Sequence, residues 1–374
     1  MTVLIAPDKF KGSLSALEVG KAIENGIKKH DTSINCIIHP LADGGDGSVD
    51  ILSNFLDVRR INVQVNDPLR RKIQTYYYLS EKTAFIELAA ASGLVLLGKK
   101  ERNPLKTSTY GSGQMILDAI QKGATKIFLF LGGSATNDAG IGIAQALGFR
   151  FLNQYDKELA PIGENLIHIQ KIDTSQLKFP IEELDFNCLC DVQNPFCGEH
   201  GASFVYAAQK GADEKAILQL DEGLAHFAKI IQQQFAIEIQ NVAGSGAAGG
   251  IAGGLLGLLN AKIKSGIDTI LELSQFEEKL KTADILISGE GKLDHQTLEG
   301  KVVSGVATLA RRYQKPLYLF VGQHELQEKQ HQSLGIEGLF AVMDKAKDLD
   351  DAMEHTTSIL KQLAFEFIKK QSKF

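Results

Sequence analysis

Tryptophan is absent from the 374-residue chain, and cysteine, methionine and proline are scarce, with 4, 4 and 8 residues. The four cysteines (Cys36, Cys188, Cys190 and Cys197) are too few for a disulfide scaffold, and none of them forms the Cys-x-x-Cys pair of a structural zinc site. No apolar run approaches the roughly 20 residues needed to cross a bilayer. We therefore expect reduced thiols and no membrane partner.

An excess of basic residues is also lacking, since the formal net charge is −5. Without a basic footprint, nucleic acid is not an expected partner. The chain opens with MTVLIAPDKF, an apolar strand that lacks the basic leader and cleavage site of a signal peptide. We expect a cytoplasmic protein.

Glycine is plentiful by contrast, with 36 residues, and it recurs in one setting. An apolar strand, a glycine-bearing polar turn and then, in most cases, a helical pattern follow one another. The strand–turn pairs are TVLIAP–DKFKGS, CIIHP–LADGGDGS, KIFLFL–GGSATNDAG, DILIS–GEGKLDHQT and LYLFV–GQHE. Alternating strands and helices predict a parallel, doubly wound sheet, in which ligands bind at the carboxyl ends of the strands.

The middle of the chain has a different pattern. Residues 61–89 alternate as a meander of short antiparallel strands with a turn at Asp67 and Pro68, and residues 213–236 have the pattern of one amphipathic helix. The sequence predicts an α/β protein with a discontinuous Rossmann-like domain, residues 1–60 and 280–374. An α/β domain with a mixed sheet, residues 61–279, is inserted into it.

Two glycine motifs raise the question of a phosphate site. GGSATND contains Gly132, Gly133, Ser134 and Thr136, and its amides and hydroxyls favour an anion site at a helix start. The same Ser, Thr, Asn and Asp residues are also preferred helix N-caps, so both interpretations stay open. GLVLLGKK, residues 93–100, has Walker A spacing, but Lys100 replaces the required Ser or Thr, which disfavours a P-loop.

GSGAAGG, which includes Gly244 and Gly246, matches the dinucleotide fingerprint after an apparent strand, FAIEIQNV. The glycines continue through GIAGGLLG, which would make a poor crossover helix. Close packing of small residues, or a phosphate loop of another kind, is favoured over a dinucleotide site.

Carboxylates follow three of the predicted strands. Asp43 and Asp46 lie in LADGGDGS, Asp191 in CDVQNPF, and Glu290 and Asp294 in SGEGKLDHQT. A solvated loop or an Asx-turn would explain some of them equally well. Asp46 suits the first turn of the following helix, where an acidic side chain is favoured by the helix dipole.

Taken together, these motifs resemble the type I family of bacterial glycerate kinases over essentially the whole chain. APDKFKGSLSA, LADGGDGS, GGSATNDAGIGIAQALG, CDVQNPF, QKGA (with Lys210), GSGAAGG and SGEGKLDHQT occur in the family's order. Small departures are Asp46 in place of the usual glutamate, Ala139 in place of glycine and Ser288 in place of threonine. The resemblance implies an ATP-dependent, magnesium-using kinase for D-glycerate that forms 2-phosphoglycerate, with a Rossmann-like domain, a second α/β domain and an active site in the cleft.

For such a kinase, we assign hypothetical roles to the strand-end residues. Asp191 is the first candidate for the base and Asp294 the second, and Lys11 is the candidate cation for substrate. Asp43 and Glu290 are the candidate magnesium ligands. Phosphate contacts are expected from Gly132, Gly133, Ser134 and Thr136, with help from Gly244 and Gly246.

Three alternatives remain from the sequence: 3-hydroxyl regiochemistry, an NAD-dependent hydroxy-acid dehydrogenase, and a non-catalytic ligand sensor. Whether the protein forms a homo-oligomer stays open.

Overall fold

The computed structural model describes residues 1–45, 47–293, 302–325 and 334–371. The chain divides into two compact units. Unit 1 is formed by Met1–Asp43 and Ile267–Phe374, and unit 2 by Gly44–Gly266.

The helices and strands follow the alternation that the sequence indicates. The strands are β1 (Thr2–Pro7), β2 (Asn35–Ile38), β3 (Arg59–Asn66), β4 (Lys72–Ser80), β5 (Thr83–Glu87), β6 (Lys126–Phe130), β7 (Arg150–Leu152), β8 (Lys171–Asp173), β9 (Asp185–Leu189), β10 (Lys262–Lys264), β11 (Ile285–Gly289), β12 (Lys292–Leu293), β13 (Leu317–Val321), β14 (Gln323–His324) and β15 (Ile336–Ala341). The α-helices are α1 (Ala16–His30), α2 (Ser48–Leu52), α3 (Ala89–Ser92), α4 (Tyr110–Gln121), α5 (Ile141–Leu147), α6 (Ala202–Tyr206), α7 (Glu214–Phe235), α8 (Ala247–Leu259), α9 (Gly266–Leu273), α10 (Phe276–Thr282), α11 (Val302–Arg312) and α12 (Leu349–Gln371).

Unit 1 is built on a five-stranded parallel sheet in the order β15-β13-β11-β1-β2. Helix α1 begins with a capping box, in which the Glu18 amide donates to Ser15 Oγ and the Ser15 amide donates to Glu18 Oε2. It packs against α12. A Cβ at Gly26 would lie 2.3 Å from the Lys361 carbonyl oxygen, so glycine permits this close helix contact.

Unit 2 contains a six-stranded mixed sheet in the order β10-β9-β6-β5-β4-β3. The strands from β10 to β5 are parallel, and β4 and β3 continue as the antiparallel meander that the sequence predicts. Asp67 holds the β3–β4 turn, because its carboxylate accepts the amides of Leu69 and Arg71 at 2.8 Å each. The predicted α/β class, with one Rossmann-like parallel sheet and one mixed sheet, is confirmed.

One predicted strand is wrong. FAIEIQNV forms no strand: α7 ends at Phe235, and residues 236–240 have no regular secondary structure. The place beside β9 in the sheet is taken by β10, Lys262–Lys264, instead of this segment. Without a strand before it, GSGAAGG lacks the context that a dinucleotide fingerprint requires.

The division between the units also differs from the expected boundaries near residues 60 and 280, since it falls at 43/44 and 266/267. Helix α2 packs on β5 of unit 2, where the Val49 amide donates to Glu87 Oε1 at 3.0 Å. Helix α10 packs on β1 of unit 1. Each of these two short helices therefore packs on the sheet of the unit to which it belongs, α2 in unit 2 and α10 in unit 1.

None of the helices in the described part of the chain is long and apolar enough to cross a membrane.

Candidate functional site

A cavity of about 300 Å³ lies at the carboxyl ends of the unit 1 strands. Three carboxylates line it, those of Asp8, Asp43 and Glu290, together with three lysines, Lys9, Lys11 and Lys292. Apolar side chains complete the lining, those of Phe10, Val342, Met343, Leu349, Ala352 and Met353. Turns after β1, β2 and β11 carry these charged residues except Lys292, which lies on β12. The carboxyl ends of parallel strands are where such sheets bind ligands.

Asp8 is the member of the cavity that the sequence reasoning did not select. It directly follows β1, and its side chain is buried at 7% exposure. Burial, followed by the negative charge of Asp43, raises the pKa of Asp8 to about 7. The amide of Lys9 donates to Asp8 Oδ1 at 2.6 Å and works in the opposite direction. Its position immediately after an apolar strand, like that of Asp43 after CIIHPLA, was the available signal.

The structure brings three of the predicted site residues, Asp43, Glu290 and Lys11, into this one cavity. Glu290 is buried at 6% exposure, whereas Lys11 is exposed. Lys292 forms an ion pair with Glu325 at 2.8 Å. The cavity can thus offer carboxylate oxygens to a cation and ammonium groups to an anionic ligand.

A second candidate site lies in unit 2, in the loop of residues 132–138 between β6 and α5. The loop is tied to the 92–94 segment, because the Leu94 amide donates to the Gly133 carbonyl at 2.8 Å and the Ala135 amide to the Ser92 carbonyl at 2.9 Å. Gly133 has a positive φ of 69° and is exposed. Within the described ranges, the amides of Gly132 and Gly133 donate to no protein acceptor. Amides left available at such a turn are suited to an anion.

Polar contacts hold this loop from below. Asp138 is fully buried, and its Oδ2 accepts the amide and the hydroxyl of Thr109 at 2.8 Å each. Burial raises the pKa of Asp138. Lys210 is buried at 2% exposure, and its Nζ lies 2.7 Å from both Ser134 Oγ and the Thr136 carbonyl oxygen. Burial lowers the pKa of Lys210 to about 7, although the charge of Asp138 raises it in part.

Gly244 and Gly246 are buried. A Cβ at Gly244 would lie 3.1 Å from both the Ile263 side chain and the Val192 carbonyl oxygen, whereas Gly246 is surrounded by backbone. The Gly246 amide donates to the Asn194 carbonyl at 3.0 Å, and a Cβ there would lie 2.2 Å from the Pro195 carbonyl oxygen. Gly249 approaches the 132–138 loop in the same way, since its Cβ would lie 2.2 Å from the Thr136 carbonyl oxygen. This geometry favours close packing, the alternative left open by the sequence, over direct phosphate contact for Gly246.

Asp191 is held at the start of α9. Its Oδ1 accepts Ser265 Oγ–H at 2.9 Å and the Gly266 amide at 2.8 Å. A carboxylate at a helix N-terminus is stabilised by the dipole and by the amides there. Asp294, the second candidate base, and Asp46 lie outside the described residues.

The requirements of a divalent cation can be compared with these side chains. Across the described ranges, no group of three or more His, Cys, Asp or Glu side chains is arranged to hold a metal ion. Magnesium commonly takes only one or two protein carboxylates and completes its octahedron with waters and substrate phosphates. The oxygen donors of Asp43 and Glu290 fit that smaller requirement.

Two α/β units whose strands end in carboxylates, lysines and open glycine amides have the composition that a site for anionic ligands requires. Comparison with known proteins makes the class specific. The model of the glycerate kinase family matches residues 3–371. A glycerate kinase of Halalkalibacterium halodurans is 41% identical over 365 residues, covering 97% of this chain and 96% of the relative.

Two further relatives extend the comparison. The glycerate 2-kinase of Escherichia coli is 38% identical over 354 residues, covering 94% of this chain and 93% of the relative. A crystal structure from Salmonella typhimurium, designated glycerate kinase 2, matches with a TM-score of 0.87 at 36% identity and covers 100% of this chain and 98% of that one. The chain belongs to the glycerate kinase family, and it is a phosphotransferase.

Proposed function

We propose that the enzyme transfers a phosphoryl group from ATP to the 2-hydroxyl of D-glycerate and forms 2-phosphoglycerate and ADP. The single observation that carries this proposal is the unit 1 cavity, which three carboxylates and three lysines line together with apolar side chains. Glycerate is a small hydroxy acid with one negative charge, and such a cavity supplies both ammonium groups and acceptors for hydroxyls. The 2-hydroxyl is chosen because one relative is named a glycerate 2-kinase.

Lys11 is the proposed contact for the substrate carboxylate. Its side chain lines the cavity and is exposed, so its ammonium group is accessible to a ligand from water. Asp43 and Glu290 are the proposed holders of Mg²⁺, with Asp8 as a third carboxylate beside them. Bound Mg²⁺ would neutralise charge on the phosphates during transfer.

Phosphate contacts are proposed at the 132–138 loop of unit 2. The amides of Gly132 and Gly133 and the hydroxyls of Ser134 and Thr136 are hydrogen-bond donors on one short turn. Phosphoryl transfer depends mainly on positioning and electrostatic stabilisation, which donors of this kind provide. Gly244 and Gly246 are proposed to help indirectly, as part of the GSGAAGG segment whose Gly249 packs against the Thr136 carbonyl oxygen of this loop.

Asp191 stays the first candidate for the base that orients or accepts the proton of the attacking hydroxyl, and Asp294 the second. The two hydrogen bonds to Asp191 Oδ1 fix the plane of the carboxylate. A base must be held within hydrogen-bond reach of the proton it takes, and a fixed carboxylate satisfies the positioning part of that requirement.

The proposed setting is the cytoplasm. All four cysteines are free thiols, as expected where thiols are kept reduced. Self-association is left to measurement.

A coupled assay that follows ADP tests the proposal. We expect ADP from the purified enzyme with D-glycerate, ATP and Mg²⁺, and a loss of that signal with EDTA that returns on addition of Mg²⁺. D-Lactate, which keeps the carboxylate and the 2-hydroxyl but lacks the 3-hydroxyl, is the matched substrate for specificity. A folded enzyme that forms no ADP with D-glycerate would overturn the proposed substrate.

A further inference from the structure

A lysine side chain, that of Lys210, lies beneath the 132–138 loop with almost no access to water. Lys210 ends a short 3₁₀ turn, and Gly211 follows it with a positive φ of 96°. The side chain is 2% exposed. An ammonium group is costly to bury without hydrogen-bond partners, so the partners of Lys210 indicate its role.

Both contacts of Lys210 are to the loop itself. Its Nζ donates to Ser134 Oγ at 2.7 Å and to the carbonyl oxygen of Thr136 at 2.7 Å. An ammonium group has three donor hydrogens and no acceptor. Ser134 Oγ is therefore the acceptor in this hydrogen bond, and the hydrogen of its own hydroxyl must point away from Lys210.

The Ser134 hydroxyl hydrogen has no acceptor among the residues that the structure describes. The same is true of the Gly132 and Gly133 amides within the described ranges. Thr136 Oγ1 is also buried with no hydrogen-bond partner there. A turn with several unused donors and a buried cation behind it has the polarity of an anion site.

We propose that Lys210 is a positioning residue for phosphate recognition: by donating to Ser134 Oγ, it directs the Ser134 hydroxyl outward as a donor to a phosphate oxygen. The proposal rests on the proposed kinase function for the identity of the ligand. The phosphate group belongs either to the nucleotide or to the phosphorylated product, and the chemistry of recognition is the same for both.

The contact to the Thr136 carbonyl gives Lys210 a second part in the same role. It fixes the backbone two residues beyond Ser134, so the hydroxyl and the loop backbone are held by one group. In its neutral form the amine would gain an acceptor lone pair, and the Ser134 hydroxyl could then turn toward it. Burial lowers the pKa of Lys210, whereas a bound phosphate favours its ammonium form. Phosphate binding and protonation of Lys210 are therefore coupled.

The test uses Ser134→Ala, Lys210→Met and the double variant, with dissociation constants measured by isothermal titration calorimetry. MgADP and 2-phosphoglycerate are titrated separately. We expect each single variant to weaken binding of one of these ligands by about tenfold or more, the loss of a hydrogen bond to a charged group. The double variant should be within about twofold of Lys210→Met, because the two side chains act as one unit.

Ser274→Ala is the matched control, since Ser274 is a buried serine bonded to His39 Nε2 at 2.9 Å and belongs to unit 1, not to the unit that contains the loop. It should leave both dissociation constants unchanged. The ligand whose binding weakens in Ser134→Ala identifies the source of the phosphate group. Thermal unfolding of each variant shows whether it is folded.

Two results would overturn the proposal: unchanged binding of both ligands by Ser134→Ala, or single-variant effects that multiply in the double variant. The first result decides the question even where Lys210→Met does not fold. Because these are binding measurements, they are separable from turnover. An enzyme that binds MgADP through Ser134 but phosphorylates no glycerate would refute the proposed function and leave this inference standing.

Discussion

Replacing Gly249 with alanine tests whether the close approach of α8 shapes the 132–138 loop. Gly249 has a φ of 78°, and a Cβ there would lie 2.2 Å from the Thr136 carbonyl oxygen, where real Cβ contacts are rarely under 3.0 Å. The backbone must therefore move by about 1 Å, and the carbonyl that would move is the one that accepts from Lys210 Nζ.

The expected cost has two components. A left-handed backbone conformation costs an alanine about 1–2 kcal/mol, and the overlap with the Thr136 carbonyl adds about 1–3 kcal/mol. A shift of about 1 Å in a ligand-positioning group is expected to lower kcat/KM by up to about 100-fold. We expect Gly249→Ala to lose both stability and activity.

Gly123→Ala is the matched control, because Gly123 has a φ of 93° and nothing lies within 4 Å of its added Cβ. It should show only the backbone cost, about 1–2 kcal/mol, with an unchanged KM for ATP. Chemical denaturation and the coupled ADP assay measure the two quantities. If Gly249→Ala matched Gly123→Ala in both, the loop would not depend on this contact and the packing argument would be refuted.

Three further predictions concern individual side chains. Burial, together with Lys279, lowers the pKa of His39 to about 3, so the unfolded chain takes up a proton near pH 6.5 before the folded one does. The contribution of His39 to the free energy of unfolding is therefore kept above pH 6.5. It falls as the pH drops toward 3, by about 2 kcal/mol at pH 5. Urea unfolding at pH 8 and pH 5 should show a change in stability that is less favourable in the parent enzyme than in His39→Gln by about 2 kcal/mol, since Asp8 and Lys210 titrate in both proteins; equal changes in both would contradict it. Asp43→Asn should raise the Mg²⁺ concentration for half-maximal activity about tenfold or more, whereas Asp31→Asn, a change at a half-buried carboxylate that does not line the cavity, should not; an unchanged Mg²⁺ requirement would remove Asp43 from the metal site. Asp191→Asn keeps an oxygen acceptor for the Gly266 amide, so its thermal midpoint should change little, while kcat should fall by about 100-fold or more; a normal kcat would exclude Asp191 as the base.

The strand-and-turn pattern made much of the fold predictable. Apolar strands such as β1, β6, β11 and β13 are short continuous runs followed by glycine turns, a pattern typical of buried parallel strands. The meander of β3 to β5 was predictable because its side chains alternate and Asp67-Pro68 favours a turn. Both signals are local in the sequence.

The errors arose where tertiary contacts decide. Residues 235–242 alternate as a strand would, but α7 extends to Phe235 and the place beside β9 in the sheet is taken by β10. Gly244, Gly246 and Gly249 have the spacing of a binding motif. However, a Cβ added to any of them would lie 3.1 Å or less from a backbone carbonyl oxygen, as in closely packed segments. A one-dimensional pattern does not distinguish a glycine that faces a ligand from one that faces a carbonyl.

The site was predictable in its residue types and less so in its groupings. Asp43, Glu290 and Lys11 share one cavity, as strand-end positions suggested. Asp8 was missed because a single aspartate after a strand is common in turns. The role of Lys210 could not be inferred from QKGA, because burial of the ammonium group depends on the fold around Ser134 and Thr136.

Phosphorus NMR of the reaction with D-glycerate and MgATP tests the central claim most directly. Phosphorylation at the 2-hydroxyl places the phosphate on a carbon with one hydrogen, so the product signal should be a doublet from proton coupling, accompanied by ADP. A triplet, from the two hydrogens of carbon 3, would keep the kinase and contradict the proposed position of transfer. No new phosphate ester from folded enzyme would contradict the account as a whole.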